Sequence, residues 1–121
     1  MYDHIGLKVK DLDASVRFYT AALAGLGHVL CSRDAAGAGV GPKGEPALWL
    51  SVTKGSTGPG AHLAFRASER GAVERFYKDG LAAGGRDNGG PGVRADYGPT
   101  YYAAFLLDPD GNNVEAVCTR S

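Results

Sequence analysis

DHIGLKVKDLDASVRFYTAALAGLG, residues 3–27, decides the fold, because it returns at residues 61–85 as AHLAFRASERGAVERFYKDGLAAGG. The two stretches align without a gap at one constant offset. Identities fall at His4/His62, Ala14/Ala72, Arg17/Arg75, Phe18/Phe76, Tyr19/Tyr77, Leu23/Leu81, Ala24/Ala82 and Gly27/Gly85. Ile5/Leu63, Leu7/Phe65, Lys8/Arg66 and Asp11/Glu69 keep the chemical type. Self-similarity at a fixed offset marks a duplicated structural unit. The 121 residues therefore read as one domain of two modules, about 1–58 and about 59–121.

Each copy opens with a period of two, the mark of a half-buried strand. Ile5, Leu7 and Val9 alternate with His4, Gly6 and Lys8; Leu63, Phe65 and Ala67 alternate with His62, Ala64 and Arg66. A helical period follows. Asp11 or Asp13 can cap the first helix, whose apolar stripe is Val16, Tyr19, Leu23 and Leu26. Ser68 is the expected cap of the second, with Val73, Phe76, Tyr77 and Leu81 facing inward. Both helices end at glycines, Gly25 or Gly27 and Gly84–Gly85. Short strands are predicted near 28–33, 38–41 and 47–53, and again near 86–88, 100–107 and 113–118. LDPDGNN, residues 107–113, is a turn by composition. The class is α+β: duplicated βαβββ modules forming a curled mixed sheet, with helices on the outer face.

Composition narrows the function. Lys plus Arg and Asp plus Glu each total 13, so no net charge attracts nucleic acid or an anionic membrane. No apolar run is long enough to span a bilayer, and the charged N-terminus lacks a signal-peptide core. The expectation is a cytoplasmic protein with a small-molecule substrate and neither nucleic-acid nor membrane partners. Cys31 and Cys118 form no CxxC pair and read as small buried residues. The 19 glycines cluster near 37–44, 55–60 and 84–92, between elements.

Strand parity then sorts side chains by face. Ile5/Leu7/Val9, Leu48/Leu50/Val52, Leu63/Phe65, Tyr102/Ala104/Leu106 and Val114/Ala116/Cys118 are continuous apolar faces for the helices. The opposite face holds His4, Trp49, His62, Tyr101, Phe105 and Glu115. His4 and His62 occupy equivalent repeat positions, and Glu115 has Trp49 as its counterpart when ALWLSV is laid on NVEAVC. Two imidazoles and a carboxylate are ligands for a divalent ion such as Fe, Mn, Ni, Co or Zn, with positions left open. Trp49, Phe105 and Arg66 are candidate substrate contacts, and Tyr101 is the candidate catalytic hydrogen-bond donor. Arg66 or Lys8 would serve as anion partner, and Asp87, Asn88, Arg94 and Tyr97 lie in a Gly-rich loop positioned to cover the site.

The chain resembles the vicinal oxygen chelate superfamily, which includes glyoxalase I, extradiol dioxygenases, fosfomycin-resistance enzymes and bleomycin-binding proteins. The resemblance runs through DHIGLKVKDLDASVRFY, AHLAFRA and YYAAFLLDPDGNNVEAV. It implies paired βαβββ modules around a cavity, with His4, His62 and Glu115 at the family's metal positions. Trp49 replaces the carboxylate that completes a four-ligand glyoxalase I site, which argues against that reaction. Gly6 and Phe105 stand where fosfomycin-resistance enzymes carry Thr and Tyr. The resemblance implies a metal-dependent lyase, isomerase or dioxygenase acting on a small oxygen-chelating substrate, in a homodimer by analogy with small relatives. The alternative is a bleomycin-type protein that sequesters a ligand without turnover.

Overall fold

The computed structural model describes residues 2–55 and 61–120. The expected boundary between the modules, near residue 58, falls outside them. The first module runs β1 (Ile5–Val9), α1 (Leu12–Ala24), β2 (His28–Arg33), β3 (Gly37–Pro42) and β4 (Leu48–Val52). The second runs β5 (His62–Arg66), α2 (Arg70–Ala82), β6 (Arg86–Asp87), β7 (Gly92–Val93), β8 (Tyr102–Leu107) and β9 (Asn113–Cys118). The two-residue β7 is absent from the sequence reading, since two residues carry no period.

Hydrogen bonding divides the strands into two mixed sheets, β1-β4-β3-β2 and β5-β9-β8-β6, with β7 also paired to β8. In each sheet the first strand of the module pairs in parallel with the last, β1 with β4 and β5 with β9. The remaining pairs are antiparallel. The repeat seen in the sequence is thus a repeat of topology.

One core collects helix-facing side chains from both sheets, including Val9, Leu50, Val40, Leu106, Val114 and Cys118 around Phe18, Tyr19, Leu23, Val73 and Phe76. The helices meet where Gly80 of α2 lies against Ala22 and Phe18 of α1 and against Leu106 of β8. Among the described residues, no helix is long and apolar enough to cross a membrane.

Local chemistry sets the helix ends. Asp11 caps α1 by accepting from the Ala14 N–H at 3.1 Å. The expected Ser68 cap of α2 is not the one formed: Glu69 is the N-cap residue, with no side-chain cap bond. Its carboxylate instead pairs with Arg75 at 3.0 Å. Leu81, expected inward, is exposed, as are Ile5 and Val52 at the ends of their strands. Ile5 opens β1, Val52 closes β4 and Leu81 is the last residue but one of α2.

The LDPDGNN segment turns as composition indicates, with Gly111 at φ 87°. Its hub is Asp108, only 1 % exposed. Oδ1 accepts from the backbone N–H groups of Asp110 and Asn112, and Oδ2 from the Asn112 side-chain amide at 3.0 Å. Oδ2 also accepts from the Tyr19 hydroxyl at 2.6 Å, which ties the second module's turn to the first module's helix. Burial, and then the charge and hydrogen bond of Asp108, push the Tyr19 phenol pKa far above its ordinary value.

Candidate functional site

His62 opens β5, and the parallel register sets His62 beside Asn113 and Ala64 beside Glu115. Across β8, Phe105 is opposite Glu115. Strand parity therefore puts His62, Asn113, Glu115 and Phe105 on one face, the face away from the helices. There His62 Nε2 lies 2.9 Å from Glu115 Oε1. The second carboxylate oxygen, Oε2, accepts from the Tyr101 hydroxyl at 2.5 Å. Glu115 is 2 % exposed, so a buried carboxylate is satisfied on both oxygens.

A cavity of about 520 Å³ opens on this group, lined by His62, Asp96, Tyr97, Tyr101, Phe105, Asn113 and Glu115. Phe105 stacks on the His62 imidazole, with centroids 6.5 Å apart, and Tyr97 meets Tyr101 edge to face at 5.1 Å. Burial raises the Tyr101 pKa, as do its hydrogen bond to Glu115 and that group's charge; the result is about 12. At neutral pH the phenol is protonated and donates.

Of the residues singled out in the sequence, His62, Glu115, Tyr101 and Phe105 come together here, with Tyr97 of the Gly-rich loop; Asp87, Asn88 and Arg94 do not line the cavity. His4 does not join them within the chain. It lies just before β1, its Nδ1 2.8 Å from Asp3 Oδ1, and lines a separate apolar crevice of about 180 Å³ with His28, Leu48 and Phe65. His28, edge-on to Phe65, has its pKa lowered by burial. Among the described residues no three His, Cys, Asp or Glu side chains gather as a metal site. Trp49 is on the other sheet, its indole laid across Gly39, where a Cβ would stand 2.7 Å from the ring. Arg66 and Lys8 are exposed and line neither cavity.

Asn113 and Asp96 were missed by sequence reasoning. Asn113 was legible, since it stands two residues before Glu115 and shares its parity. Asp96 carries no periodic signal, because it lies in the irregular connection between β7 and β8.

The donor set fits half of a metal centre. Two ligands on one ion with bonds of about 2.0–2.2 Å stand about 2.9–3.4 Å apart, depending on the angle. The His62–Glu115 separation of 2.9 Å is that of a direct hydrogen bond and also falls in that span. An outer partner that orients a ligating carboxylate, as Tyr101 orients Glu115, is a usual feature of such sites.

A family model for the glyoxalase/bleomycin resistance protein/dioxygenase superfamily matches residues 2–116, and the chain belongs to that superfamily. A glyoxalase/bleomycin resistance protein from Albidiferax ferrireducens superposes with a TM-score of 0.84 at 28% identity, covering 98% of both chains. A glyoxalase I mutant from Zea mays matches 99% of this chain and 44% of its own, at 26% identity and TM-score 0.71. A family enzyme from Burkholderia phytofirmans has the same fold at 19% identity, TM-score 0.75 and 98% coverage of both chains. No curated protein matches the chain.

Proposed function

We propose that the protein is a metal-dependent enzyme acting on a small oxygen-chelating substrate, with a metal site completed between two copies of the chain. The observation that carries this reading is the contact between His62 and Glu115, braced by Tyr101, at the wall of an open cavity. His62 and Glu115 would hold the ion from one chain, and His4 from a second copy would supply the third donor. His4 suits that role because its side chain is 60% exposed and its repeat-equivalent, His62, is already at the site. When bound, a divalent Fe, Mn, Ni, Co or Zn ion supplies Lewis acidity to a substrate oxygen.

The remaining work belongs to the chain's own groups. Tyr101 fixes the Glu115 carboxylate and presents a neutral hydroxyl at the cavity wall. Phe105 holds the imidazole plane of His62, and Asn113 adds an amide beside it. A second reading, sequestration of a ligand without turnover, is favoured by the three aromatic rings lining the cavity.

Metal uptake by mixed variants tests the proposal. His4→Ala and His62→Ala should each bind no metal alone. Refolded together, they should recover about one quarter of the wild-type capacity, because half the dimers are mixed and each mixed dimer holds one intact site. No recovery on mixing would rule out the shared site. Equal metal uptake by wild type and Glu115→Gln would rule out metal binding here and leave sequestration.

A further inference from the structure

The His62–Glu115 cavity has a second chemical character at its rim, which metal binding does not use. Asp96 stands there with no hydrogen bond or ion pair from any described residue. Beside it Tyr97 is 68% exposed, its ring braced edge to face by Tyr101. The lining thus presents two carboxylates and three aromatic rings, with neither lysine nor arginine among its residues. Arg94, the cation nearest in sequence, does not line the cavity: it donates to the Gly90 carbonyl at 2.6 Å and lies over the ring of the lining residue Phe105 at 5.3 Å. The Arg66 and Lys8 anion partners expected from sequence are not at this wall.

An anionic ligand would meet Asp96 with no lysine or arginine among the lining residues to compensate it. An ammonium group would meet a free carboxylate and the negative face of an exposed tyrosine, the arrangement in which cation–π attraction adds to an ion pair. We infer that the cavity selects a ligand carrying an ammonium group on an apolar or aromatic body, with the ammonium between Asp96 and the Tyr97 ring and the body against Tyr101 and Phe105. The inference rests on the cavity being a ligand site, as in the proposed function, but does not require the metal.

Three probes sharing one ring separate charge from shape: benzylammonium, benzyl alcohol and benzoate. Their affinities are measured by titration calorimetry near neutral pH on the full chain, once after chelator treatment and once loaded with zinc. Benzylammonium should bind about tenfold more tightly than benzyl alcohol, with benzoate weakest on the chelator-treated protein. Asp96→Asn should erase the benzylammonium advantage and leave benzyl alcohol within about twofold of its wild-type affinity, and Tyr97→Leu should reduce that advantage. Benzoate or benzyl alcohol matching benzylammonium on the chelator-treated protein, an advantage that survives Asp96→Asn, or no binding of any probe at millimolar concentration would each overturn the inference. Failure of the metal reading looks different: zinc is not taken up, while the ranking of the probes on chelator-treated protein persists.

Discussion

Tyr19→Phe removes one oxygen from the centre of the molecule and little else. The ring keeps its edge-to-face contact with Phe18 at 4.9 Å, and no charge is added or lost at neutral pH. Asp108 Oδ2 loses its 2.6 Å donor and retains only the Asn112 amide. Tyr19 is fully buried and Asp108 nearly so, so water does not replace the lost hydroxyl. A hydrogen bond to a charged group is worth about 1.5–3 kcal/mol, and that is the expected loss of stability. For a chain of this length it corresponds to a fall in Tm of about 6–12 °C. Urea unfolding at one fixed protein concentration reads it as a lower midpoint with an unchanged slope.

The raised Tyr19 pKa adds an independent arm. The unfolded chain releases this phenolic proton near pH 10, while the folded chain retains it. A folded pKa raised above the unfolded one gives stability that is complete below about pH 10 and declines as pH rises further, by about 1.4 kcal/mol per unit. The gap between wild type and Tyr19→Phe should therefore narrow between about pH 9 and about pH 11. A loss below about 0.5 kcal/mol at neutral pH would refute the role given to this bond. A gap that stays constant into alkali would refute its coupling to ionisation.

Three further substitutions test other parts of the structure. Tyr101→Phe leaves Glu115 Oε2 without its hydroxyl partner and should weaken metal affinity by about 10–100-fold in a chelator competition. Ser15, fully buried in α1, has an Oγ with no hydrogen-bond partner among the described residues; Ser15→Ala should leave stability unchanged or raise it by up to about 1 kcal/mol in urea. Gly80→Ala gains about 1 kcal/mol of helix propensity, but its Cβ would fall 2.3 Å from a Leu106 methyl carbon in the packed helix junction. The overpacking cost of about 1–3 kcal/mol should prevail, and a rise in Tm would show that the junction yields more easily than its density suggests.

What the sequence made legible follows from what periodicity encodes. Alternation identified the strands and the face each side chain takes, so His62, Glu115 and Phe105 could be placed together before any coordinates. The repeat identified His4 as the partner of His62 by position. Neither signal carries the packing of one module on the other, which depends on small complementary surfaces such as Gly80 against Ala22 and Phe18. That packing leaves His4 in a different crevice from the residue it mirrors. Asp96 and Tyr97 belong to a connection whose course follows from turn bonds, such as the Arg94 carbonyl accepting from the Tyr97 and Gly98 N–H groups, rather than from any period.

β3 separates the face a residue takes from the freedom with which it can be changed. Gly37, Gly39 and Gly41 alternate with the core residues Ala38 and Val40, so the glycines take the face away from the helices, yet Gly39 and Gly41 are buried there and Gly37 is half-buried. Here a Cβ at Gly37 would approach the Leu50 carbonyl to 2.5 Å, and one at Gly41 the Glu45 carbonyl to 2.4 Å. In a saturation library, β3 should show a two-residue rhythm in which Val40 accepts isoleucine or leucine more readily than any of the three glycines accepts alanine. On this strand the glycines, closely covered on the face away from the helices, carry the tighter specification, and the apolar letters the looser.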